Sequence, residues 1–130
     1  MEYEVKIFPE QALVIEKISG EISLEGMIEK THRLFSNPEY KTHFRGVVDL
    51  RNCTTRMSKV ELLGFAKLVD ESEKFGQSKW AILAIDPMVL GLSQVFQKRL
   101  HDPDTIGVFR TTEDAAQFVQ EPAILQHLPE

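Results

Sequence analysis

Apolar and polar residues alternate from Tyr3 to Phe8, with Tyr3, Val5 and Ile7 on one side and Glu4 and Lys6 on the other. That two-residue period predicts a strand. Pro9-Glu10-Gln11 reads as a turn, and Ala12 to Ile18 as a second strand ended by Gly20. So short a connection predicts an antiparallel hairpin. The period then changes. Leu24, Met27, Ile28, Thr31, Leu34 and Phe35 recur at helical spacing behind Ser23, a residue type suited to the N-cap. Asn37-Pro38 stops this helix, because the residue before proline avoids the helical region.

Phe44 to Leu50, centred on Val47-Val48, predicts a third strand, followed by a loop over Arg51 to Arg56. Ser58 and Glu61 have the spacing of a capping box, and Leu62, Phe65, Ala66 and Val69 mark the apolar face of the helix behind it, with Gly76 as its stop. Trp80 to Ile85 is a nearly continuous apolar run, as expected for a strand covered on both faces. Asp86-Pro87 opens a third helix carrying Met88, Val89, Leu92, Val95, Phe96 and Leu100, which ends at His101-Asp102-Pro103-Asp104. Thr105 to Phe109 is the last strand, and Thr111 caps a short fourth helix. The order ββαβαβαβα predicts an α/β fold with a mixed sheet of about five strands flanked by about four helices. It forms one domain over residues 1–120, and residues 121–130, with two prolines, read as a tail that is a docking segment or disordered.

Composition narrows the function classes. The 130 residues fit a single domain, and 42% hydrophobic content suffices for a core. A formal net charge of -5, with Lys and Arg scattered among acids, gives no basic face for nucleic acid. Met1-Glu2-Tyr3-Glu4 does not open like a secretory signal, and no apolar stretch approaches the ~20 residues of a transmembrane segment. The single cysteine, Cys53, excludes an intrachain disulfide, and a reducing cytoplasm is the expected location.

Several phrases, in this order and spacing, resemble the SpoIIAA-like (STAS-type) domains, and within them an uncharacterised bacterial branch. They are Ser19-Gly20-Glu21-Ile22, Val47-Val48-Asp49-Leu50-Arg51, Ala81-Ile82-Leu83-Ala84-Ile85-Asp86-Pro87, Gly91-Leu92, Val108-Phe109-Arg110 and Glu113-Asp114-Ala115-Ala116. The resemblance covers about residues 3 to 120. It implies a mixed sheet flanked by helices and a role in protein–protein regulation; related folds also bind small apolar or lipid ligands. In the anti-sigma-factor antagonists of this family, a serine at the start of the second helix is phosphorylated within an Asp-Ser-Ser-Gly phrase. The matching stretch here is Arg56-Met57-Ser58-Lys59-Val60, which retains only Ser58, the candidate phosphoacceptor.

Ligands of open α/β sheets collect beyond the carboxyl ends of the parallel strands. The segments expected there are Asp49 to Ser58, Asp86 to Met88, and Arg110 to Thr112. The candidate ligand or partner loop comprises Arg51, Asn52, Cys53, Thr54, Thr55 and Arg56, with Ser58 and Asp86 beside it. It precedes a helix N-terminus, which favours an anion. The plain alternative is an ordinary polar loop with Ser58 as a cap. Cys53 is a candidate nucleophile, but a catalytic cysteine needs a positioned base, and His32, His43, His101 and His127 are dispersed. No spacing suggests a metal site, and no glycine-rich phosphate loop or other cofactor motif is present. The third helix is apolar on more sides than one sheet face can cover. It is therefore either well buried or an interface, with Leu90 the candidate contact of a homodimer.

These readings favour a non-enzymatic regulatory or protein-interaction module. A domain for a small apolar or lipid-like ligand is the alternative, and it calls for a closed apolar pocket of roughly 300 Å³ or more. A cysteine-dependent enzyme is the second alternative. The capping box makes one stability prediction. Ser58→Ala lowers unfolding free energy by about 1 kcal/mol, measured by urea denaturation.

Overall fold

The computed structural model describes residues 1–75 and 77–130. Its strands are β1 (Glu2–Phe8), β2 (Leu13–Ile22), β3 (Arg45–Thr55), β4 (Trp80–Leu83) and β5 (Ile106–Phe109). Its helices are α1 (Leu24–Phe35), α2 (Lys59–Glu71), α3 (Pro87–Arg99), α4 (Thr112–Val119) and α5 (Ile124–His127). Short 3-10 turns occupy Pro9–Gln11 and Pro103–Thr105. The strands form one sheet in the order β1-β2-β3-β4-β5. β1 pairs antiparallel with β2, and every later pair is parallel.

The sequence-derived order ββαβαβαβα holds, with α5 added. The expected caps form as well. Ser23, Ser58, Asp86 and Thr111 each accept backbone N–H bonds at the start of α1, α2, α3 and α4 respectively. The Ser58 cap is reciprocal, with the Glu61 carboxylate accepting from the Ser58 N–H at 3.0 Å. The Gly76 stop predicted for α2 lies outside the described residues.

The strand expected over Trp80 to Ile85 ends at Leu83, and two other strands run well past their expected ends, for one reason. Gly20 does not end β2, and the residues read as a loop after Leu50 are strand as far as Thr55. The register between β2 and β3 shifts between Lys17 and Ser19, and pairing then resumes from Ser19 opposite Asn52 to Ile22 opposite Thr55. Gly20 permits this extension, since its φ of 91° is one that side-chain-bearing residues rarely adopt. A second glycine serves close approach. A Cβ on Gly46 would fall 2.4 Å from the ring of Trp80, its partner across β3 and β4.

Parallel strands laid down in chain order, joined by crossovers of one hand, place all the connecting helices on one face. α1, α2 and α3 accordingly share one core with Val14, Ile18, Val48, Leu50, Ile82 and Ile106 of the sheet. The opposite face, with Leu13, Ile15, Val47, Ala81 and Leu83, is covered by Ala115, Ala116 and Val119 of α4 together with Ile124 and Leu128. Residues 121–130 are therefore not a loose tail: Ile124 and Leu128 are almost completely buried. Within α3, Val89 and Phe96 are buried, and Leu90, Leu92 and Val95 are half-buried against the main core. The strongly exposed apolar side chains of this stretch are Ile85 and Met88.

The main core contains an ion pair. Glu16 shares the inward side of β2 with Val14 and Ile18, and only 1% of it is exposed. Lys30 lies among the buried residues of α1, and its Nζ donates to both Glu16 carboxylate oxygens at 3.3 and 3.2 Å. The Tyr3 hydroxyl donates to Glu16 Oε1 at 2.9 Å. Burial, then the Glu16 charge, pushes the Tyr3 phenol well above its ordinary pKa and keeps it a donor. Removing one member of a buried pair strands the other charge. Lys30→Met should cost about 3–5 kcal/mol in urea denaturation. The double variant Glu16→Gln/Lys30→Met, which leaves no unpaired charge, should recover most of that loss.

Candidate functional site

The carboxyl ends of the parallel strands open into a cleft of about 600 Å³. Its walls come from four parts of the chain: Tyr3 and its neighbours on β1, Lys17 and Ser19 on β2, Asp49 and Arg51 on β3, and the segment from Leu128 to Glu130. Asn52 and Ile85 complete it. Sequence topology places a site at this end, and the cleft lies there. Its membership differs from the expected one.

Of the candidate loop, the cleft takes Arg51 and Asn52. The register shift gives β3 one extra residue between Asp49 and Asn52, which breaks the alternation and turns Cys53 into the main core, where its Sγ donates to the Ile18 carbonyl at 3.1 Å. Thr54 is exposed, and Arg56 forms a solvent-exposed ion pair with Glu21 at 3.3 Å. Thr55 bonds the Ile22 carbonyl and the Met57 N–H. Ser58 is exposed with its hydroxyl engaged in the capping box. Asp86 accepts from the Met88 and Val89 N–H groups at 3.1 Å each. None of these last five residues lines the cleft.

Arg51 is the organising side chain. Its Nε and Nη2 donate to the two Asp49 oxygens at 3.0 and 3.1 Å, a bidentate pair that fixes the guanidinium plane. Asp49 also holds the Arg51 charge, raising its pKa further. The remaining edge points at the segment beyond α5. Nη2 donates to the Pro129 carbonyl at 3.3 Å and Nη1 to Glu130 Oε1 at 3.2 Å.

The Glu130 carboxylate lies at the N-terminus of α4. It accepts from the Thr112 N–H at 2.7 Å and from the Glu113 N–H at 3.3 Å. These are among the N–H groups that a helix cannot satisfy internally, and the helix dipole favours an anion beside them. The Thr112 N–H is the first cause of the lowered Glu130 pKa, followed, after an opposing desolvation effect, by the Glu113 N–H, the Thr112 hydroxyl and Arg51. The other end of α4 has the complementary arrangement. Arg45 Nη1 donates to the Val119 and Gln120 carbonyls at 3.3 and 3.1 Å, and its Nη2 pairs with Glu121 at 3.1 Å.

A second feature lies beneath α1, α2 and α3. It is an apolar cavity of about 90 Å³ with Glu16 and Lys30 in its wall. That volume is well under the roughly 300 Å³ of ordinary small-molecule pockets. The apolar-ligand alternative required a larger space. Sequence patterning could have exposed this pair, since Glu16 and Lys30 both stand where an apolar residue is due. Nothing in the sequence marks Glu130, whose role depends on how α5 returns across the sheet. Among the described residues, no cluster of three or more His, Cys, Asp or Glu could hold a metal ion.

No family model matches the chain, and no curated protein matches it. Among solved structures, it is similar to an uncharacterised protein of the DUF3478 family with a SpoIIAA-like fold from Shewanella loihica PV-4. The two share 12% identity, with a TM-score of 0.57 over 91% of this chain and 92% of that one. The fold is thus SpoIIAA-like, as the sequence resemblance implied. No helix among the described residues is long and apolar enough to cross a membrane.

The thiol gives a direct test of the cysteine-enzyme alternative. Burial, with the Asp49 charge second, pushes Cys53 up to about 11. A neutral thiol is therefore favoured in the folded state at ordinary pH, and the contribution is lost as pH rises through that value. Alkylation by iodoacetamide at pH 8 should be far slower in the native chain than in urea-unfolded chain, because the thiolate is the nucleophile. Comparable rates in the two states would restore the reactive-cysteine reading.

Proposed function

We propose that this SpoIIAA-like domain is a non-enzymatic regulatory module that engages a protein partner through the cleft at the carboxyl ends of its parallel strands. The observation that carries the reading is the cleft itself. It is open, about 600 Å³ in volume and mostly polar-lined, and it lies where open α/β sheets collect their ligands. The Ile85 side chain, 53% exposed, supplies an apolar contact at its rim. Exposed Lys17 lines it together with Glu2, Glu4 and Asp49. Such a mixture of one apolar anchor and a polar surround is typical of non-obligate interfaces.

Two features favour recognition over turnover. The only thiol faces away from the cleft and is held neutral. Asp49 and Arg51 are engaged with each other, so neither is a free base or acid. The expected setting of such a module is the cytoplasm, in keeping with its single cysteine.

The test is a paired substitution in the cleft. Ile85→Asp with Lys17→Glu alters two exposed side chains and should leave the thermal midpoint unchanged. In-cell crosslinking should then lose the partners captured by the unaltered chain. An unchanged partner set would contradict the proposal. So would catalytic turnover by the purified chain that Arg51→Ala abolishes.

A further inference from the structure

β1 is an outer strand of the sheet and pairs with β2 on one side only. Its seven residues present a row of backbone N–H and C=O groups that no described strand meets. The other edge strand, β5, has only four residues. No residue of β1 is fully buried. Tyr3, Val5 and Ile7 lie half-buried on the side that carries the main core, and Glu4 and Lys6 alternate with them, exposed, on the other side. The Lys6 ammonium lies 3.6 Å from the Glu4 carboxylate, with both side chains well over half exposed. Across the strand pair, Glu4 faces Lys17 on β2, whereas Lys6 faces Ile15 and meets no acid there.

Charges on an edge strand ordinarily discourage pairing with another chain. Here their order is self-complementary. Two copies of β1 laid antiparallel about Val5 match every residue from Glu2 to Phe8. Glu4 then stands opposite Lys6 of the second copy, and Lys6 opposite its Glu4. On the other side Tyr3 stands opposite Ile7 and Val5 opposite Val5, so the half-buried apolar row continues from one copy into the next. The nearest alternative registers that keep the apolar sides together centre on Glu4 or on Lys6. Each sets a charge directly against its own copy, which is destabilising. We infer that β1 is a homodimer interface, in which two copies join edge to edge through antiparallel β1 strands centred on Val5 and share one continuous sheet. Glu2 and Glu4 line the cleft, so the join brings Phe8 and Lys6 of the second copy beside its β1 wall. A single strand pair is a small interface, and the dimer should be no tighter than roughly micromolar. Leu90 on α3, half-buried against the main core, is the competing contact.

Sedimentation velocity of the full chain, from roughly micromolar to roughly half-millimolar concentration, should show reversible monomer–dimer exchange. Lys6→Glu sets acid against acid at both symmetric positions, and Glu4→Lys sets base against base. Each should weaken the dimer about tenfold or more. Glu4→Lys also reduces the net negative charge of -5, so general repulsion between copies would make it strengthen the dimer instead. The double variant Glu4→Lys/Lys6→Glu restores both opposite-charge pairs only if residue 4 faces residue 6 of the second copy, and it should dimerise like the unaltered chain. Both positions are exposed, and an unchanged thermal midpoint of each variant confirms its fold. A chain that stays monomeric throughout the concentration range overturns the inference. So does a dimer indifferent to both single variants, or a double variant that dimerises no better than they do. Dimerisation lost on Leu90→Asp with the thermal midpoint unchanged, and kept in Lys6→Glu, would place the contact on α3 and overturn it as well. Only copies of this chain take part, so failure of the partner reading leaves these outcomes unchanged.

Discussion

Parallel pairing of β2, β3, β4 and β5 in chain order is the constraint on which the rest of this structure depends. Crossovers of one hand stack α1, α2 and α3 on a single face. The other face carries Leu13, Ile15, Val47, Ala81 and Leu83, and an uncovered apolar sheet face of that kind would be unstable in water. Only the chain beyond β5 is left to cover it. α4 runs back along the sheet, and α5 and Leu128 complete the cover.

That return path creates the candidate site. Once Ile124 and Leu128 are buried, the next residues reach the carboxyl ends of the strands, beside Arg51 and the start of α4. A basic side chain stands at the carbonyl end of α4 and an acidic one at its N–H end, the arrangement that a helix dipole favours. A purely structural role for Glu130 would need no more than this.

The fold was legible because its signals were local. Period-two and helical patterns gave the elements, and Ser23, Ser58, Asp86 and Thr111 gave their starts. The strand extension to Thr55 was hidden, because polar residues such as Asn52 and Thr54 read as loop unless β2 is known to run beside them. Within the site, Arg51 and Asn52 were legible from topology, and Glu130 was not. Its contacts with Arg51 and Thr112 join residues 79 and 18 positions apart, and no sequence period spans such distances. The buried Glu16–Lys30 pair lies between these cases: the patterns place both residues inward, while only packing shows that they meet.

The central claim is that the chain's own carboxylate occupies the N-terminus of α4. A pH titration of the Glu130 side-chain carboxyl carbon and the Thr112 and Glu113 amides by NMR tests it most directly. A carboxylate held in this way is favoured in its charged form, so the docked state is complete above the ordinary glutamate range and is lost as pH falls through a lower value. The account predicts that Glu130 titrates below an ordinary glutamate and that both amides move with the same midpoint. An ordinary Glu130 titration, with the two amides indifferent to it, would contradict the account.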